Sequence, residues 1–273
     1  MFGKMLENVR KNVPLVHNIT NYVTVNDCAN VLLACGASPI MSDDIEDVGD
    51  ITSICTALNI NIGTLNSNTV PSMLEAGKIS NKLNHPVLLD PVGAGASKFR
   101  TETAKKLIEE IDFTVIRGNI SEIKALAFGE GTTKGVDADA ADRVTDENAD
   151  RVISFARKFS EKTGAVIVIT GAIDLVVDMQ KAYIIKNGNA MMSKITGTGC
   201  MLSAMMSAYI GANSENVAEA CAAAVCAMGI CGERAFARLE SCDGNVAYRN
   251  KIIDEIYNLD AQKLREGAKY EVR

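Results

Sequence analysis

Short apolar runs alternate along the chain with longer segments of helical period. The runs Leu15–Asn18, Ala37–Met41, Leu58–Ile62, Val87–Asp90, Phe113–Arg117 and Ala165–Thr170 carry few charges, which predicts strands buried on both faces. Between them, Asn26–Cys35, Ser67–Leu83, Lys98–Ile111 and Asp146–Lys162 repeat apolar residues at helical spacing. Strand, helix, strand in regular succession predicts a mostly parallel sheet with helices on both faces and right-handed crossovers. After Thr170 the pattern changes. Leu175–Asp178 and Ala182–Lys186 predict a hairpin at a sheet edge, and three helices follow at about Gly199–Gly211, Glu215–Leu239 and Ala247–Tyr257. The middle helix contains AEACAAAVCAMGICGERA, a small-residue surface suited to close helix packing. Lys124–Asp142 is polar and glycine-rich and reads as a loop, with Gly131–Asp139 at its centre. With no Pro- or Ser-rich linker and no repeat, residues 1–273 are expected to form one α/β domain.

Composition narrows the function. The chain has 273 residues, of which 47% are hydrophobic, enough to bury a large core. A net charge of −6 without a basic cluster disfavours a nucleic-acid partner, although a locally positive site can still take an anionic cofactor. Eight cysteines lack any Cys-x-x-Cys pair and have mostly small or apolar neighbours, as expected of reduced thiols in a cytoplasmic protein. His17 and His85 lie far apart, which argues against a zinc site of Cys and His. The amphipathic start, MFGKMLENVRKN, lacks the apolar middle of a signal peptide. The longest uncharged run, Ile195–Ser214, has the length of a membrane span, but its Gly, Ser and Thr suit a buried helix, and no membrane partner is expected.

Ligands of open α/β sheets sit beyond the carboxyl ends of the strands. At those positions the chain places Met41-Ser42-Asp43-Asp44, Asp90-Pro91-Val92-Gly93, Arg117-Gly118-Asn119 with Glu122 beyond, and Thr170-Gly171. KITGTGCMLSA puts the turn Thr196-Gly197-Thr198-Gly199-Cys200 at a helix start, where free amides and the dipole favour an anion. A plain capping turn is the alternative. Neither a P-loop nor G-x-G-x-x-G occurs. Asp90 and Glu122 could share magnesium through water, or each could be a capping or solvated acid. Asn119 and Glu122 also have capping-box spacing. Arg117 could take a phosphate in bidentate fashion, or form a strand-end salt bridge. His17, Asn18, Asn21, Thr24 and Asn26 could line a pocket for a small, neutral, partly aromatic molecule, with Met41 packing on its ring. Met41 as core and His17 as a structural histidine are the plainer readings.

The set NITNYVTVND, SPIMSDDIEDVGDI, LLDPVGAG, IRGNISEI, VITG and ITGTGCMLSA resembles hydroxyethylthiazole kinase, of the ribokinase superfamily, from about Val16 to Ala204. GTGC is a variant of the superfamily's GAGD-type turn, with Cys200 where an aspartate serves as base. The resemblance implies a ribokinase-like, three-layer α/β/α fold and a role in thiamine salvage. The γ-phosphoryl of ATP would pass to the hydroxyl of 4-methyl-5-(2-hydroxyethyl)thiazole. It implies a homotrimer with the thiazole site at the subunit interface. By position, Met41 and Gly197 would contact the thiazole, and Asn21 and Val23 would shape its pocket. Arg117 and Thr170 would contact ATP, and Asp90 and Glu122 would hold Mg2+. The amides of Gly197, Thr198, Gly199 and Cys200 would form the anion hole. At a helix N-terminus the Cys200 thiol is expected to have its pKa lowered below about 8.5, with bound ATP opposing the shift. It would orient the hydroxyl and take its proton late, as a modest general base. A ribokinase-like kinase of a pyrimidine or pyridine alcohol, a nucleotide-dependent dehydratase of hydrated nicotinamide cofactors, and a sensor protein are the competing readings. NITN and SPIMS favour the thiazole enzyme, and intact Asp90, Glu122 and Arg117 argue against a sensor.

Overall fold

A computed structural model describes residues 1–128 and 143–273. The expected loop centre, 131–139, lies outside the described residues. Six strands are parallel: β1 (Leu15–Ile19), β2 (Ser38–Met41), β3 (Ala57–Asn61), β4 (Val87–Asp90), β5 (Val115–Asn119) and β6 (Val166–Thr170). Their spatial order is β2-β1-β3-β4-β5-β6. The sheet continues antiparallel through β7 (Asp174–Val177), β8 (Ala182–Ile185) and β9 (Tyr270–Val272).

Alternation along the strands divides the core in two. Val16, Leu88, Val115 and Val168 face one layer of helices: α1 (Phe2–Asn12), α2 (Val25–Cys35), α8 (Thr198–Ala212), α9 (Val217–Ala237), α10 (Asn245–Tyr257) and α11 (Ala261–Gly267). Ile19, Ile60, Leu89, Ile116 and Ile169 face the other: α3 (Val48–Ile54), α4 (Thr69–Lys82), α5 (Lys98–Glu110), α6 (Ile120–Phe128) and α7 (Ala149–Thr163). This is the expected three-layer α/β/α arrangement. Helix α8 has no polar stripe because it runs between the sheet and α9, and every residue from Met201 to Ile210 is buried. Each large apolar side chain sealed there contributes about 1.5–3 kcal/mol. The apolar stretch Ser214–Ala237 is long enough to cross a membrane, yet 78% of its most apolar 18-residue window is buried inside the protein.

Two features differ from the sequence expectation, and a third, the amphipathic start, takes a definite form. The β7–β8 hairpin is not the sheet edge, because β9, exposed along its whole length, pairs outside β8. Lys124 to Phe128, expected to open the polar loop, belongs to α6. The N-terminal segment is a packed helix, with Phe2, Met5, Leu6 and Val9 buried on its apolar stripe.

Candidate active site

The period of two that buries the strands also selects the residues of the site. On β3, Leu58 and Ile60 point to the α3–α7 layer, so Asn59 and Asn61 point to α8. Leu88 faces α8 and therefore so does Asp90; Val115 does and therefore so does Arg117; Val168 does and therefore so does Thr170. The carboxyl ends of β3, β4, β5 and β6 thus present a polar row beneath the start of α8. The order β2-β1-β3 places the topological switch between β1 and β3, where Asn21 and Asn61 meet at 3.0 Å.

Helix α8 begins above this row. Gly197 is its N-cap at φ 91°, and a Cβ there would lie 2.6 Å from Thr24 Cγ2, so both conformation and contact require glycine. No side chain caps the helix, which leaves the first-turn N–H groups of Thr198, Gly199 and Cys200 directed at the cleft. Cys200, Ser203 and Ser207 share the helix face turned to the sheet. Ser203 Oγ donates to Asp90 Oδ2 at 2.8 Å. Cys200 Sγ accepts from Asn21 Nδ2 at 3.2 Å and Asn61 Nδ2 at 3.3 Å.

Asp90 is fully buried. Its Oδ2 accepts from Asn61 Nδ2 at 2.9 Å and Ser203, and lies 3.5 Å from Arg117 Nη1, while Oδ1 is buried with no partner. Burial pushes the Asp90 carboxyl above the usual carboxylate range, against the pull of Arg117 and the donors from Ser203 and Asn61. Arg117 Nη2 donates to Thr170 Oγ1 at 2.6 Å, tying the two expected ATP contacts together. Glu122 forms the capping box its spacing predicted: Oε2 accepts from Asn119 N–H at 2.8 Å, and Asn119 Oδ1 accepts from Glu122 N–H at 2.9 Å. Its other oxygen accepts from Gly93 N–H at 2.9 Å, which anchors the loop after Asp90. Among the described residues no group of three or more His, Cys, Asp or Glu could hold a metal by itself.

The row separates two cavities. The larger, about 650 Å³, is lined by Arg117, Asn119, Thr170, Asp174, Thr198 and Gly199, with Met192, Val225 and Met228 as an apolar wall. The smaller, about 150 Å³, is lined by Asn18, Tyr22, Met41, Asn61, Asn66 and Met73. The first has the size of a nucleotide site. The second has room for about five waters, a small ring.

Most of the expected site residues come together here, with three qualifications. Val23 is 59% exposed and is not part of the cavity wall, and Asn26 is also exposed. His17 is structural: it is fully buried, with Nδ1 on Thr52 Oγ1 and Nε2 on the Ser42 carbonyl, each at 2.9 Å. The expected lowering of the Cys200 pKa is reversed. Burial and the nearby Asp90 charge push the thiol up, and outweigh the donors from Thr24, Asn21 and Asn61. Three polar residues were missed. Asn61 and Ser203 contact Asp90 directly. Asp174, on the wall of the larger cleft, has its carboxyl raised to about 7 by burial, against its bond from Gly171 N–H and the Arg117 charge. The signal for Asn61 was available, since a polar side chain inside a fully buried strand requires partners.

Comparison with known proteins agrees with this geometry. The profile of the hydroxyethylthiazole kinase family matches residues 6–262. A hydroxyethylthiazole kinase of Clostridium acetobutylicum is 68% identical over 271 residues, covering 99% of each chain. One from Clostridium tetani is 49% identical over 98% of this chain and 96% of its own. The solved structure of the hydroxyethylthiazole kinase protein from Pyrococcus horikoshii OT3 superposes with a TM-score of 0.87 at 32% identity, over 100% of this chain and 98% of that one. With its row of polar strand ends, its uncapped α8 and these relatives, the chain belongs to the hydroxyethylthiazole kinase family.

Proposed function

We propose that phosphoryl transfer takes place at the N-terminus of α8, where the two cavities meet. ATP occupies the larger cleft and 4-methyl-5-(2-hydroxyethyl)thiazole the smaller, and the product is the phosphate ester used in thiamine salvage. The observation that carries this reading is the cluster Asn61–Asp90–Cys200, which joins the wall of the small cavity to Arg117 in the large one.

Arg117 and the amides of Gly197, Thr198, Gly199 and Cys200 receive the charge of the γ-phosphoryl, the term on which a loose transition state depends most. Thr170 holds the guanidinium in place. Met41 packs against the thiazole, Gly197 lets the backbone approach it, and Asn21 aligns the hydroxyl beside Cys200. The hydroxyl oxygen forms its bond to phosphorus as the bond to the bridging oxygen of ADP breaks. Its proton leaves late, to the Cys200 sulfur, and then to solvent. Because burial raises the thiol's pKa, only a minor thiolate fraction serves as base near neutral pH. Asp90 and Glu122 would hold Mg2+. The unpartnered Asp90 Oδ1 fits this role, and two carboxylates suit an ion that keeps water and takes its remaining ligands from phosphates. When bound, the ion supplies positive charge to the phosphates.

A homotrimer with the thiazole site at the interface fits the exposed apolar residues beside the small cavity: Tyr22 at 76%, Val23 at 59% and Ile45 at 48% exposure. In that assembly Val23 would complete the pocket that one chain leaves open. One kinase domain over residues 1–273 is supported by the continuous nine-stranded sheet. A reducing cytoplasm fits eight free cysteines, six of them buried. ADP release measured with and without the thiazole alcohol tests the reading. Release that requires the alcohol supports it; release that requires only a hydrated nicotinamide cofactor, or tight binding without turnover, overturns it.

A further inference from the structure

Asn61 ends β3 at the topological switch, 2% exposed, and no motif in the sequence points to it. Its side chain makes four hydrogen bonds, three of them to groups of the reaction centre. Oδ1 accepts from Gly63 N–H at 2.8 Å and from Asn21 Nδ2 at 3.0 Å. Nδ2 donates to Asp90 Oδ2 at 2.9 Å and to Cys200 Sγ at 3.3 Å. The Gly63 N–H fixes the amide's orientation, because a flipped amide would set donor against donor there and acceptor against carboxylate at Asp90. Asn61 and Asp90 are also register partners on adjacent parallel strands, so the backbone sets their separation.

We propose that Asn61 is a positioning residue for phosphoryl transfer. It locks the acceptor side of the site, Asn21 and Cys200, to the carboxylate on the phosphate side, Asp90. This rests on the assignment of transfer to the α8 N-terminus made above. The bond from Asn61, with those from Ser203 and Arg117, gathers every protein partner of Asp90 on Oδ2 and leaves Oδ1 clear. Without Asn61 the carboxylate is held by Ser203 and Arg117 alone, and the sulfur loses one of its two carboxamide donors. Asn61 also forms part of the small cavity's wall, but its four hydrogen bonds are all to the protein, and the other substrate-facing groups stay in place: Asn18, Met41 and Met73 in the small cavity, and Arg117 and Thr170 in the large one. The loss therefore falls on kcat.

The test compares Asn61→Ala and Asn61→Ser, which remove the Nδ2 donor without adding charge, with Asn61→Asp, which keeps the shape and sets a carboxyl against Asp90. Steady-state ADP release is measured with the thiazole alcohol and ATP varied separately, alongside thermal melting and calorimetric binding of the alcohol. The expected result is a fall in kcat of about 10²-fold in Asn61→Asp and Asn61→Ala, the scale of a misplacement near 1 Å. KM for ATP stays within about threefold in every variant, and KM and calorimetric affinity for the alcohol do so in Asn61→Asp, which keeps the cavity wall in shape, a change smaller than one lost hydrogen bond to the substrate would give. Wild-type kcat in Asn61→Ala or Asn61→Ser, or a loss confined to KM, overturns the proposal. If Asn61→Ala melts below the assay temperature, the same split is read from Asn61→Asp and Asn61→Ser, and failure of all three to fold assigns Asn61 a structural role and overturns it too. Absence of alcohol-dependent turnover in the wild-type protein refutes the functional reading itself, and is separable from every outcome above.

Discussion

Gly199→Ala should lower activity while leaving stability nearly unchanged, and the structure gives the reason for each. Gly199 is the second residue of α8, and its backbone needs no positive φ. Alanine there is better for the helix than glycine by no more than about 1 kcal/mol. Loosening the Arg117 contacts with Thr170 and the buried Asp90 offsets that gain, so in a chain of this size Tm should stay within about a few degrees of wild type. A Cβ at 199, however, would sit 2.7 Å from Arg117 Nη1 and 2.8 Å from Nη2, against 3.4 Å for an ordinary contact. The guanidinium must retreat by about 0.6–0.7 Å, and it cannot do so while keeping both its 2.6 Å bond to Thr170 and its 3.5 Å approach to Asp90. Misplacement on that scale costs about 10- to 100-fold in turnover when the moved group meets the transferring phosphoryl. Coupled ADP release at saturating thiazole alcohol, with a melting curve on the same sample, reads both effects. Turnover at the wild-type rate would refute the placement of Arg117 at the γ-phosphoryl. A melting temperature that falls together with the activity would show general damage instead.

Three other outcomes are expected. Because burial raises the Cys200 pKa, the thiolate fraction grows as pH rises above neutral, so wild-type kcat should climb with pH. In Cys200→Ala kcat should be about 10²-fold lower at neutral pH, the low end for a general base, and flat with pH; matching profiles would remove the base role. The Asp174 carboxyl, raised to about 7, favours the protonated form in the folded state, so its contribution to stability declines as pH rises from about 4 to about 7. Asp174→Asn should flatten that part of the curve of Tm against pH, and an unchanged curve would show that Asp174 ionises normally. EDTA should stop turnover and Mg2+ restore it, and Glu122→Gln should raise the Mg2+ concentration required by about 10-fold, since its amide oxygen still accepts one of the two N–H groups. An unchanged requirement would leave Glu122 as a cap alone.

The sheet was legible because a buried parallel strand is written as a short apolar run, and the chain contains six of these in regular alternation with helices. The carboxyl-end residues Asp90, Arg117 and Thr170 followed from the same pattern. Other features depend on contacts that no local pattern encodes. β9, Tyr-Glu-Val, alternates apolar and polar residues, but three exposed residues are too few to mark a strand in the sequence. The short α3 was masked by the polar SDDIEDVGDI segment, which supplies its first four residues. Asn61 sits in NINIGT, where an asparagine among isoleucines looks like an irregularity until β1, β4 and α8 surround it with partners. The sign of the Cys200 shift was misjudged for a related reason. The helix terminus is a local feature, whereas the burial and the Asp90 charge that outweigh it come from elements far away in sequence. Val23 is exposed in the single chain, so its assigned role depends on a neighbouring subunit that the chain's own pattern does not specify.

The central claim is that the α8 N-terminus lies between the two substrates at the moment of transfer. A crystal structure with Mg2+, a non-transferable ATP analogue and the thiazole alcohol tests it most directly. The account predicts the γ-phosphoryl on the amides of Gly197 to Cys200 with Arg117 against it. The alcohol oxygen should lie about 3–3.5 Å from the γ-phosphorus and beside Cys200 Sγ. A γ-phosphoryl bound away from α8, or a thiazole seated outside the pocket of Asn18, Met41 and Asn61, would contradict it.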